Sequence, residues 1–160
     1  MQTVPIPMEE LAKLLKLQLD DSGTAQLIVT GMSMWPMLTN RRDQVTLALP
    51  PETYCKGDLI LYRRDCGSYV LHRIVRIAKD GTFICSGDNQ WLPEKVCPQQ
   101  VFAIVTAFCR KGIHYPVTHC GYRCYVSVWV TMFPLRRPIL VLKNLFLRLR
   151  QRLRAFALHK

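Results

Sequence analysis

Three side chains of the kind that together carry out acyl transfer stand in separate short motifs. Ser33 lies in "GMSMWPML", His72 in "VLHRIV" and Asp88 in "SGDNQ". A serine hydroxyl is a weak nucleophile until a base takes its proton. A histidine whose pKa lies near working pH can be that base. A carboxylate can hold the imidazole in one tautomer and stabilise its charged form. Gly31 lets the backbone turn into the serine loop and Pro36 stiffens the exit. Met32, Met34 and Trp35 give the hydroxyl an apolar, polarizable surround. Each motif also has a plainer reading. A serine in a G-x-S loop can be a turn residue, His72 a core histidine satisfied by a carbonyl, and Asp88 a turn cap. Asp43 in "RRDQV" and Asp58 in "KGDLILY" compete with Asp88 for the carboxylate role.

The elements that must position these groups are mostly strands. Pro7 to Asp21 predicts a short amphipathic helix. Glu9 and Glu10 fall in its first turn, its apolar stripe is centred on Leu11, Leu14 and Leu15 with Leu19 at the edge, and Leu17 falls outside it. Gln26 to Thr30 reads as a strand, and the serine loop follows. From Gln44 the pattern alternates. "QVTLAL", "DLILYR" and "YVLHRIVRIA" read as strands, Asp80-Gly81 marks a hairpin, and "TFICSGDNQ" and "QVFAIVTAFCR" read as returning strands. Short strands joined by turns predict a mainly β fold, a coiled sheet or partial barrel. The organisation expected is an N-terminal helix over 1–25, a β domain over 26–119 and a basic, apolar helical tail over 120–160.

The chain has 160 residues, 49% of them hydrophobic, enough to bury a core. The net charge of +11 suits a polyanion. Much of it lies after Cys120, where Pro138 could open a helix. Leu142, Leu145, Phe146, Leu149, Leu153 and Phe156 recur there at helical spacing, with Lys143, Arg148, Arg150, Arg152 and Arg154 interspersed. A basic amphipathic helix preceded by Tyr122, Tyr125 and Trp129 predicts an anionic membrane surface as partner. Nucleic acid would call for basic residues interleaved with stacking aromatics on a sheet face, which is not this pattern. The alternative for the stripe is a helix packed on the core.

The seven cysteines are odd in number and no two form a CxxC pair. This argues for reduced thiols facing a cytosol. His119, Cys120 and Cys124 cluster, but a second half-site is missing, and neither metal nor cofactor is expected. The N-terminal segment lacks the basic start and unbroken apolar stretch of a secretory leader.

In order and wording, "GMSMWPML", "DQVTL", "KGDLILY", "VLHRIV" and "SGDNQ", over about Val29 to Asn89, resemble the type I signal peptidases. A histidine before Arg-Ile-Val places the resemblance with the histidine-base branch, found in the endoplasmic reticulum, archaea and some Gram-positive bacteria. The resemblance implies a fold of coiled antiparallel sheets, with Ser33 as nucleophile, His72 as general base and Asp88 as orienting acid. It also implies shallow pockets for small residues beside the serine, with Met32, Met34 and Trp35 shaping a wall or facing lipid. The chain departs from the family where Arg42, rather than glycine, precedes Asp43, and in having a short amphipathic first helix where a membrane anchor is usual. The expectation is a serine endopeptidase, peripheral on a membrane and facing the cytoplasm, that removes a leader from a peptide or preprotein substrate. The alternative is a non-catalytic basic protein that binds membrane or nucleic acid on a peptidase-like fold.

Overall fold

The computed structural model describes residues 8–136 and 138–142. Helix α1 (Met8–Ser22) opens the order, followed by β1 (Thr24–Ile28), β2 (Gln44–Ala48), β3 (Leu59–Arg63), β4 (Tyr69–Ile77) and β5 (Phe83–Ser86). Then come β6 (Glu94–Val96), β7 (Val101–Arg110), β8 (Ile113–Pro116) and α2 (Cys120–Thr131). The eight strands form one antiparallel, unclosed sheet: seven run in the order β1-β2-β7-β3-β4-β5-β6, and β8 pairs with β7 off this path. Strand β7 is long enough to be shared. Its first half pairs with β3 and its last four residues pair with β8, while β2 runs along the other edge.

Helix α1 turns Ala12, Leu15 and Leu19 inward and leaves Leu14 and Leu17 more than half exposed. The buried stripe is therefore one step removed from the expected centre on Leu11, Leu14 and Leu15. The helix ends where Gly23, at φ 71°, returns its N–H to the Leu19 carbonyl; an L-residue is strained in that conformation.

Strand β3 is buried on both faces, which explains its unbroken apolar run. Leu59 and Leu61 join a core with Met34, Leu38, Val45, Leu47, Ala103 and Val105. Ile60 and Tyr62 join a second core with Ile74, Phe83, Cys85 and Val96. Bulges in the pairings of β2 with β7, β3 with β7 and β4 with β5 bend the sheet.

Strands β6 and β8, which the alternation of residues does not announce, are short and partly exposed. The region after Cys120 is helical from its first residues and does not wait for Pro138. Residues 138–142 are helical too, with Leu140 buried. The basic, apolar run from Lys143 onward lies outside the described residues. No helix among the described residues is long and apolar enough to cross a membrane.

Candidate functional site

The serine loop is a closed turn built between β1 and β2. Val29 N–H donates to the Asp43 carbonyl, Arg41 N–H donates back to Val29, and Gly31 N–H is held by Asn40 Oδ1 at 2.9 Å. Asp43 is fully buried at the base of the loop, where its carboxylate accepts from Thr39 N–H and from the Arg42 guanidinium. The turn that a glycine at position 42 would ease is made by Arg41 instead, at φ 56°, and Arg42 pairs with Asp43.

Met34, Met37 and Leu38 anchor the loop from below in the core, whereas Met32 and Trp35 are 48% and 39% exposed. Met34 is thus a support of the loop, and Met32 and Trp35 are the apolar side chains beside the hydroxyl that remain accessible. Ser33 itself is half-buried. Among the described residues its N–H and its Oγ make no hydrogen bond, while its carbonyl accepts from Asn89 N–H at 2.7 Å.

That contact ties the serine loop to the segment following β5. Gly87 lies so close that a Cβ built on it would be 2.6 Å from the Ser33 carbonyl oxygen. Asn89 Nδ2 also donates to the Met32 carbonyl. In the β4–β5 ladder Arg73 pairs with Ser86. Gly87 is the first residue past the end of β5; the same register carried one residue further would set it opposite His72.

His72 is 1% exposed. Its Nδ1 lies 3.1 Å from the Tyr62 hydroxyl and 3.7 Å from Glu94 Oε1. Nε2 makes no hydrogen bond among the described residues. Burial lowers the imidazole pKa from 6.5 to about 4, against the opposing pull of Glu94, so the ring is neutral at pH 7. Glu94 is held below the ordinary carboxylate range by the Arg64 guanidinium, which bonds both of its oxygens.

Asp88 is placed elsewhere. Its carboxylate accepts from Arg73 Nε at 2.9 Å and Arg73 Nη2 at 2.8 Å, and from the Tyr125 hydroxyl at 3.0 Å. Consecutive strand residues point to opposite faces, so the partner of Arg73 sits across the sheet from the His72 ring. No hydrogen bond joins Asp88 to His72, or Ser33 Oγ to His72, among the described residues. Asp58 caps a turn by accepting from Cys55 N–H, and Asp43 closes the serine loop. All three candidate carboxylates are thus committed to backbone or to arginine.

Several residues at the site have no part in the catalytic reading of the sequence. Helix α2 holds the 87–90 segment from behind. Tyr125 bonds the Asp88 carboxylate, Trp129 Nε1 donates to the Asp88 carbonyl, and the buried Arg136 donates to the Gly87 carbonyl. Tyr122 Oη accepts from Arg73. The aromatics expected to accompany a membrane helix are, in these three cases, fixed to the site's own scaffold. Tyr62 ends the "KGDLILY" motif, and nothing in the sequence singles out Glu94.

Among the described residues no group of three His, Cys, Asp or Glu is placed to hold a metal, and all seven cysteines are free. Chemically, the arrangement offers a half-buried serine whose hydroxyl and backbone N–H have no hydrogen-bond partner among the described residues, and a buried, neutral imidazole. No family model, no curated protein and no solved structure matches the chain.

Proposed function

We propose that the chain is a serine endopeptidase of the signal-peptidase type, with Ser33 as nucleophile and His72 as general base, which removes a leader from a peptide or preprotein. The observation that carries this reading is the seating of the Ser33 carbonyl on Gly87, one residue past the Ser86 that the ladder pairs with Arg73, the neighbour of His72. A neutral, buried imidazole whose Nε2 has no partner among the described residues, and a serine whose Oγ and N–H have none among them either, suit this chemistry.

In the reaction His72 Nε2 takes the proton of Ser33 Oγ as the oxygen attacks the scissile carbonyl. The Ser33 N–H donates to the oxyanion. The proton on Nε2 then passes to the leaving amine as the C–N bond breaks, and water releases the acyl group by the reverse sequence. The hydroxyl and the imidazole must close to hydrogen-bond distance for this, and such contacts commonly tighten only when substrate binds. Asp88 serves the site by locking Arg73 and the 87–90 segment. The exposed Met32 and Trp35 offer apolar contact to a leader, and the basic tail brings the protein to an anionic membrane.

The test is processing of a co-expressed preprotein with a cleavable leader, read by mass spectrometry of both products. Ser33→Ala and His72→Ala should each abolish cleavage with the fold intact. Equal processing by wild type and both variants removes the peptidase reading and leaves the non-catalytic one.

A further inference from the structure

His72 is oriented by neither Asp88, Asp58 nor Asp43, and the group that does meet its ring is a hydroxyl. Tyr62 Oη lies 3.1 Å from His72 Nδ1 and 3.1 Å from Glu94 Oε2. The hydroxyl has one proton for two neighbours. Glu94 carries two bonds from Arg64, and an ionised carboxylate can only accept. If the hydroxyl proton pointed at Nδ1, Oη and Oε2 would face each other as two acceptors at 3.1 Å. If it points at Glu94, it makes a charge-assisted bond, and Oη is left to accept from Nδ1–H. A neutral ring has one N–H, so placing it at Nδ1 leaves the lone pair on Nε2.

We infer that Tyr62 and Glu94 are the positioning residues for His72: Glu94 fixes the Tyr62 hydroxyl, which accepts the Nδ1 proton and leaves Nε2 bare as the proton acceptor. This rests on the reading of Ser33 and His72 as a working pair.

The sheet is shaped for this arrangement. Tyr62 is on β3 and Glu94 on β6, three strand spacings apart through β4 and β5, which is roughly 14 Å in a flat sheet. Their contact requires the sheet to curl around the face that bears His72. The registers Ile60↔His72, Ile74↔Cys85 and Cys85↔Glu94 put all these side chains on that face. When Nε2 accepts the Ser33 proton, the ring becomes a cation with Nδ1–H still on Oη and the hydroxyl proton still on Glu94. The charge that compensates it is already in place, and no second proton needs to move. The other charges around the ring are Arg64, which opposes the cation, and Asp88, which favours it. The Cys85 thiol, pushed up to about 12 by burial, stays neutral.

The relay is tested on the full chain carrying 15N-labelled histidine. At pH 7 the wild type should give His72 signals of a protonated Nδ1 and an unprotonated Nε2. Tyr62→Phe removes one oxygen and keeps the buried ring, and should abolish this preference. Glu94→Gln keeps an acceptor for the hydroxyl, and should retain the tautomer while moving the pKa of the ring lower. In the preprotein assay Tyr62→Phe should slow cleavage by at least about tenfold, as loss of the correct tautomer does in a serine triad. A protonated Nε2 in the wild type, or an unchanged tautomer in Tyr62→Phe, overturns the relay. Indifference of cleavage to Ser33→Ala overturns the peptidase reading instead, and the tautomer measurement tells the two failures apart.

Discussion

Gly87 meets the carbonyl of Ser33 at a separation that admits no side chain: a Cβ would lie 2.6 Å from that oxygen and 3.1 Å from the carbonyl carbon. The glycine is required by its neighbour. Gly81, in contrast, has nothing within 4 Å of its would-be Cβ and owes its place to φ 82°. Gly87→Ala should push the serine loop outward and cost about a hundredfold in cleavage rate, the scale of a 1 Å misplacement. Gly81→Ala should lower stability by roughly 1–2 kcal/mol and leave the rate per folded molecule unchanged. Measuring both variants by preprotein processing and urea unfolding separates the two roles, and equal rates for Gly87→Ala and wild type would remove Gly87 from the site.

The burial of His72 makes a prediction about acid. Its pKa is lowered from 6.5 to about 4, so the base stays competent until well below neutral pH. The acid limb of kcat/KM should fall near pH 4. A limb near 6.5 would mean a solvated imidazole and a different site geometry.

The same shift affects stability in a defined window. Between pH 6.5 and 4 the unfolded chain binds a proton that the folded one refuses, so stability rises with pH across that interval. The contribution of His72, about 3 kcal/mol, is complete above pH 6.5 and is lost as pH falls toward 4. Glu94 and Asp43, both held below ordinary carboxylate values, lose theirs only at lower pH. Urea titrations of wild type and His72→Gln from pH 7 to 5 should show a clearly steeper slope in the wild type.

The strands could be read because alternation and turn residues are local signals. "VLHRIV" and "QVFAIVTAFCR" announce their own geometry. The seating of Ser33 on Gly87 joins residues 54 positions apart, and no local pattern encodes it. Asp88 was legible as a residue of consequence but not in its partner. Position 73 is one residue past the histidine, and that single step moves the partner to the other face of the sheet. Glu94 was silent because β6 is three residues long and its carboxylate reaches the ring only through the curl of the sheet. Tyr122, Tyr125 and Trp129 read as interfacial aromatics by their basic, apolar context. Their hydroxyl and indole groups bond Arg73 and Asp88, whose buried charges need those partners.

The Arg73–Asp88 pair is fully buried, with both side chains at 0% exposure. Breaking such a pair strands a charge. Asp88→Ala should cost about 3–5 kcal/mol, because Arg73 would keep only Tyr122 and the Gly57 carbonyl. Asp88→Asn, whose amide oxygen can still accept from Arg73 and Tyr125, should cost less and retain most of the cleavage rate per folded molecule. If Asp88→Asn instead folds normally and loses activity by several orders of magnitude, Asp88 acts on the imidazole and the structural role assigned to it fails.

The tail and the scaffold meet at a boundary that a truncation series can find. Helix α2 and Arg136 supply bonds to Gly87 and Asp88, so a chain ending after Tyr115 should lose the site along with the tail. A chain ending after Leu142 keeps every one of those bonds and removes residues 143–160, which contain six lysines and arginines and no acid. At roughly 1 kcal/mol for each basic residue near an anionic surface, this truncation should reduce binding to phosphatidylserine-containing vesicles by well over about a hundredfold. Cleavage of a soluble leader peptide should persist. Binding by the intact chain should weaken steeply with added salt and be slight on neutral phosphatidylcholine vesicles. Equal sedimentation of the full and shortened chains with anionic vesicles would assign the +11 charge some other partner and leave the membrane without a contact in the tail.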